Sequence, residues 1–291
     1  MLRDLETAIV ELYRKAATEL PQDVRAYLRK SISSEKKGGL AYFTLSTIVK
    51  NVDIAARKKK PLCQDTGTPI FFVQYGPNFR QKQLKMIIEK ATERATDEVP
   101  LRSNSVDILT GKNTGNNVAC GIPVIYFEER DEPGVEMGLI LKGGGCENVG
   151  LTYKLPNLEL QATRNLDGIR RCVLDSAQKA QGQGCPPMIA SVVAGSPADL
   201  IAIEAKRQLF RSIETKNSVP ELDAFEKKLT REINELGIGP GGFGGKNTVM
   251  ATFVSLVGRH PASFFVTISY FCWASRRAIL QWNNGSAIFT S

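Results

Sequence analysis

The residues best suited to chemistry are cysteines set in loop-like segments. Cys63 stands in PLCQDTGT, Cys146 in KGGGCEN, Cys185 in GQGCPP and Cys272 in YFCWASRR, and the only histidine, His260, stands in GRHPAS. Thiolates are soft ligands for iron or zinc, and glycine or proline beside them lets the backbone come close to a bulky group such as a metal cluster. Spacing by itself does not name the metal, but it does exclude a zinc ribbon, because the chain has no CxxC pair. The other two cysteines, Cys120 and Cys172, have apolar neighbours and are expected to be buried and inert.

Two glycine-rich segments invite a nucleotide reading and fail it. With Gly245 and Lys246 aligned to a phosphate loop, Pro240 takes the place of the first glycine and Asn247 that of the Ser/Thr. KGGGCEN follows a strand-like run but lacks the spacing of a dinucleotide fingerprint. Both are read as turns whose backbone amides line a pocket, with Lys142 and Lys246 beside them either adding positive potential or solvated. His260 can titrate near neutrality, which suits proton transfer or substrate orientation. Asp65, two residues after the first cysteine, either works beside His260 or forms an Asx turn before Thr66-Gly67.

Composition narrows the class. With 42% hydrophobic and 23% charged residues the 291-residue chain should bury a core and fold. Its net charge of +8 comes from scattered runs such as Arg57 to Lys60, without interleaved aromatics or a nucleic-acid motif, so nucleic acid is not the expected partner. The opening MLRDLETAIVELYRKAATEL threads charges through its apolar positions and reads as an amphipathic helix, not a signal peptide. No run reaches the ~20 apolar residues of a membrane-spanning helix. A cytoplasmic protein with reduced thiols is expected.

The elements that must position these loops follow from periodicity and punctuation. Helical spacing covers 2–18, a second helix opens after Pro21 and runs to about Ser33, and a third runs from about Ala41 to Lys58. Strand patterns follow in PIFFVQYG, at 122–128, at 137–142 leading into KGGG, at 188–195, and at about 249–257 and 264–271 on either side of GRHPAS. Further helices are read near 80–98, in SPADLIAIEAKRQLF, taken as a capped helix, and at 220–236. The fold class is therefore α+β or α/β, as one continuous domain over 1–291 with a helical layer over about 1–60 and a mixed-sheet core from about 61.

PLCQDTGT, the strand ending in KGGGCEN, the CPP of GCPP, the FGGK of GGFGGK, and RHPAS followed by a strand and a cysteine occur here in the order and approximate spacing of the class I fumarase family. LRSNS at 101–105 and NTG at 113–115 extend the match, so the chain resembles that family, which includes L(+)-tartrate dehydratase, over roughly residues 40–277. The resemblance implies a [4Fe–4S] cluster held by Cys63, Cys185 and Cys272, with Cys146, where many members have serine, as pocket wall and rival ligand. It implies that Arg102 clamps a substrate carboxylate, that Gln64, Asp65 and the Gly145 amide line the pocket, and that His260 acts in catalysis. FF at 264–265 departs from the CP of some members. The sequence stops soon after Cys272, whereas single-chain members continue into a second domain. The likeness is therefore to the separate alpha subunit of a hydro-lyase, needing a beta subunit, in an α2β2 arrangement, to hydrate fumarate or dehydrate malate, with L(+)-tartrate as the alternative substrate. From the residues alone, a basic binding module with structural cysteines stays open.

Overall fold

The computed structural model describes residues 2–290. In chain order its elements are α1 (Leu2–Thr18), α2 (Gln22–Ile32), α3 (Leu40–Lys58), β1 (Thr68–Tyr75), α4 (Gln81–Glu98), β2 (Val124–Glu129), β3 (Val135–Lys142), the short α5 (Gly144–Asn148), β4 (Leu151–Lys154), α6 (Leu166–Ala180), β5 (Met188–Gly195), α7 (Ala198–Arg207), α8 (Pro220–Glu235), β6 (Val249–Leu256), β7 (Phe265–Phe271), β8 (Arg277–Asn283) and β9 (Ser286–Thr290). Helices and two mixed sheets make this an α+β fold, with two compact units interleaved along the chain.

The first unit takes the residues up to Gln22, Lys50–Gly144 and those from Arg276. Its sheet has the order β2-β1-β3-β8-β9, parallel only between β1 and β2. Alternate residues face one way along each strand, and here the buried set is Phe71 and Val73, then Val135, Met137, Leu139 and Leu141, then Ala278, Leu280 and Trp282. Against that face α1 sets Leu5, Ile9, Leu12 and Tyr13, and α4 sets Leu84, Ile88, Ala91 and Ala95. The Tyr13 ring meets Phe71 edge-on at 5.7 Å, and its buried hydroxyl is satisfied by Thr92 at 2.7 Å. Truncating one of these leucines to alanine removes about 2–5 kcal/mol.

The second unit takes Asp23–Val49 and Gly145–Ser275. Its sheet has the order β4-β7-β5-β6, with β5 parallel to β6 and antiparallel to β7. Because β5 lies inside the sheet, all of its residues are buried, which is why MIASVVAG reads as a continuous apolar run. Ile201 and Ala205 of α7 pack with Val193, while α8 buries Leu222, Phe225, Leu229 and Ile233.

The N-terminal helices are shared between the units: α1 belongs to the first, α2 to the second, and α3 passes from one to the other. One sequence expectation changes. The helix in SPADLIAIEAKRQLF begins without a side-chain cap, because Ser196 Oγ accepts from His260 N at 3.1 Å and Pro197 holds the N-cap position.

Candidate functional site

In the first unit β1 begins where β3 ends. Thr68 pairs with Lys142, and Arg277 at the start of β8 pairs with Ile140, so the Cys63 loop, the turn at Gly143-Gly144 and Arg276 gather at one end of the sheet. Asp65 ties the first two together. Its Oδ1 accepts from Gly67 N at 2.9 Å, forming the Asx turn, and its Oδ2 accepts from Gly144 N at 2.8 Å. Gly67 is required here: it has φ +85°, and a Cβ on it would lie 2.6 Å from the Leu141 carbonyl carbon. Lys142 and Arg276 are buried at the same end, so Lys142 is not the solvated lysine that the sequence allowed.

Arg102 is held by its backbone and left open at its head. Its N–H donates to Thr66 Oγ1 at 3.1 Å, and its carbonyl accepts from Asn117 Nδ2 at 2.8 Å. Asn104 adds a bond from Nδ2 to Thr66 Oγ1 at 3.2 Å and another from its N–H to Asn117 Oδ1 at 2.7 Å. The exposed Arg102 guanidinium makes no hydrogen bond or ion pair with any described residue. Gln64 is exposed, and Cys63 and Asp65 are half-buried. The tasks of Asn104 and Asn117 do not follow from the matched segments LRSNS and NTG; runs of Ser and Asn around a candidate arginine are the available signal.

In the second unit three loops meet at the end of the sheet where β5 and β6 start and β7 stops. Cys185 is exposed, just before β5, and Cys272 is buried, just after β7. Their loops are joined by a hydrogen bond from Trp273 N to the Cys185 carbonyl at 3.3 Å. Cys185 has φ +59°, a left-handed conformation that costs a non-glycine residue roughly 1–2 kcal/mol and so needs support from its surroundings. Gly145 is exposed, and a Cβ there would come 3.1 Å from the Gln183 carbonyl, so the start of α5 touches the same loop. Cys146 is buried.

His260 is not brought to these cysteines within the unit. Gly195 pairs with Phe265 at one end of the sheet and Ile189 with Phe271 at the other, so β7 separates GRHPAS from Cys272 by on the order of 20 Å. The imidazole is exposed, beside Ser196 and Pro197 in a cavity of about 570 Å³, and Nδ1 accepts from Ala262 N at 3.1 Å. In the neutral ring that bond leaves the proton on Nε2. Both oxygens of Asp65 are meanwhile held by backbone amides of the first unit.

Of the two cysteines expected to be inert, only Cys172 is buried. Burial, and secondly the charge of Asp175, pushes its thiol up to about 11. Cys120 is exposed instead, because Gly121, at φ +78°, turns the chain between Ala119 and Ile122, which bridge each other. Among the described residues no three His, Cys, Asp or Glu side chains are grouped as a metal ion would need; Cys185 and Cys272 are together, and Cys63 is in the other unit.

Similarity to known proteins extends over nearly the whole chain. A family model described as "Fumarate hydratase (Fumerase)" matches residues 6–281. The protein named "Putative fumarate hydratase class I" of Geobacillus stearothermophilus is 41% identical over 280 residues, covering 95% of this chain and 54% of that protein. The chain thus spans about half the length of that relative. "Putative L(+)-tartrate dehydratase subunit alpha" of Methanocaldococcus jannaschii is 37% identical over 280 residues, covering 94% of this chain and 96% of its own. L(+)-tartrate dehydratase subunit alpha of Escherichia coli K12 is 30% identical over 268 residues, covering 91% and 86%.

Proposed function

This chain belongs to the class I fumarate hydratase family, and from that premise we propose that it is the cluster-binding alpha subunit of a hydro-lyase that adds water to fumarate and removes it from malate in partnership with a beta subunit. The observation that carries the reading is the bond from Trp273 N to Cys185 O, 3.3 Å long, which seats two of the three candidate ligand loops against each other.

Cys63, Cys185 and Cys272 would hold a [4Fe–4S] cluster. The donor set suits it: three cysteine thiols, two of them half-buried or exposed, on loops rather than inside elements. When bound, the cluster supplies an iron without a protein ligand, a Lewis acid for the substrate's hydroxyl. Cysteine ligands kept as thiols also suit a reducing, cytoplasmic location. No described helix is long and apolar enough to cross a membrane.

The chain's own residues would do the rest. Arg102, pinned by Thr66 and Asn117 with its guanidinium open, takes a substrate carboxylate in a two-pronged grip. Gln64 and the Gly145 amide donate to the substrate, and the buried charges of Lys142 and Arg276 favour a dianion where negative charge develops on the carboxylate. Asp65 keeps the Cys63 loop on the KGGG turn and is the candidate to receive a proton. His260 retains a donor role through Nε2, at the end of its sheet away from Cys185 and Cys272. Because the chain enters each unit more than once, residues 1–291 are best treated as one domain. L(+)-tartrate is the second reading, supported by relatives named as alpha subunits of that dehydratase and matched over 96% and 86% of their lengths.

Anaerobic co-expression with the beta subunit, analysis of iron and sulfide, and assay on fumarate, malate and both tartrate enantiomers test the proposal. It expects a brown α2β2 protein, bleached by air and fastest on fumarate and malate. A colourless, iron-free anaerobic preparation would end it.

A further inference from the structure

The segment GIGPGGFGGKN fails as a phosphate loop, and the geometry shows what its glycines do. Within the second unit the loop lies backbone to backbone on the Cys185 loop. A Cβ on Gly182 would meet the Gly241 carbonyl oxygen and the Gly242 Cα, each at 2.9 Å, and one on Gly242 would meet the Gly182 Cα at 2.7 Å. Gly241 N donates to the Pro186 carbonyl at 3.0 Å, and Cys185 N donates to Gly182 O at 3.1 Å. The positive-φ cysteine is thus clasped on both sides by residues resting on the glycine loop.

That loop is in turn held by one carboxylate. Glu35, in the turn after α2, is buried, and its Oε1 accepts from Lys246 N at 2.8 Å and from Asn247 Nδ2 at 2.6 Å. Its Oε2 packs on Gly245, where a Cβ would come within 2.7 Å of it and where φ is +119°. Asn247 also donates to Ser34 Oγ at 2.9 Å and accepts from Tyr27 at 3.0 Å. A buried carboxylate shared between a backbone amide and a side-chain amide is worth more than a surface contact; removing it takes the acceptor from Lys246 N and leaves Asn247 Nδ2 with Ser34 alone.

We propose that Glu35 is a positioning residue for Cys185, acting through the glycine loop as a backbone buttress that keeps the thiol in its left-handed, outward-facing conformation. Its meaning for a metal cluster rests on the function proposed above; the positional claim does not.

The test uses the full chain, first without metal. Cys185 is alkylated with iodoacetamide under reducing conditions and followed by peptide mass spectrometry, with exposed Cys120 as internal reference. Glu35→Ala is expected to change the Cys185 rate about tenfold relative to Cys120, since losing the anchor lets the loop open locally. Glu35→Gln, which keeps the Oε1 acceptor, is expected to restore it. If Glu35→Ala does not fold, Glu35→Asp, which withdraws the carboxylate by one methylene, takes its place with the same expectation. Anaerobic reconstitution then adds a second readout: iron per chain falls in the Ala or Asp variant and returns in the Gln variant. An unchanged Cys185 rate overturns the proposal. So does a change shared by all six cysteines, which would mark a general loss of stability. If wild type takes up no iron while the Cys185 rate still responds to Glu35, the buttress stands and the cluster reading falls.

Discussion

The loops carrying Cys63 and Cys185 are both fixed at the end of a sheet, but by different means. Around Cys63 the agent is a side chain two residues away: Asp65 grips Gly67 N and Gly144 N, and Thr66 fastens the backbone of Arg102. Around Cys185 backbone lies on backbone at Gly182 and Gly242, and the carboxylate in the chain of supports, Glu35, is far away in sequence. A loop held by its own side chains is written locally, and a loop held by glycine contact is written in what is missing. The first should fail at one residue, whereas the second should fail at several, each more gently.

The largest expected effect removes the thiols themselves. Cys63→Ser and Cys185→Ser should each abolish iron retention in an anaerobic preparation and lower turnover by about a thousandfold or more, because a hard hydroxyl is a poor substitute for thiolate on iron. If one of the two kept its iron, only one loop would belong to the cluster and the comparison would break. Next comes Asp65→Asn, which replaces one acceptor oxygen with a donor facing an amide donor, at a cost of roughly 1–3 kcal/mol locally. Turnover should fall about a hundredfold if Asp65 also handles the proton, and only a few-fold if it serves the turn alone, so kcat against thermal midpoint separates the two roles. Smaller still is Arg102→Lys: losing the two-pronged grip should raise KM about tenfold with kcat nearly intact, measured on fumarate and malate alike.

The same contrast governs how much could be read from sequence. PLCQDTGT carried its own explanation, since Asx turns and a glycine after them are local rules, and the strands at 188–195 and 249–256 were legible from apolar runs bounded by turns. Glu35 was not, because nothing near it in sequence announces a partner more than two hundred residues away. His260 and Cys272 lie on either side of one strand that is visible in the sequence, and counting its rise sets them at opposite ends of the sheet. Helix α6 passed unread, although Asn165 caps it by accepting from Gly168 N at 2.9 Å. The hairpin of β8 and β9 also passed unread, although Asn284-Gly285, both at positive φ, is a standard two-residue turn signal.

The gentlest test compares two of the three cysteines outside the proposed ligand set, Cys120 and Cys172. Cys120, exposed in its turn, should be readily labelled by a maleimide at pH 8. Cys172 should not: burial first, then Asp175, lifts its thiol to about 11, so its thiolate fraction at pH 8 is about a hundredfold below that of a thiol at the usual value of 9.0. Folding favours its neutral form, so the protection is greatest below pH 9 and should fade as pH rises through about 11. If Cys172 labelled as fast as Cys120 at pH 8 in folded protein, α6 would be opening on the labelling timescale. The unit that carries Cys185 would then be too loose for backbone contact alone to hold a cysteine in a left-handed conformation.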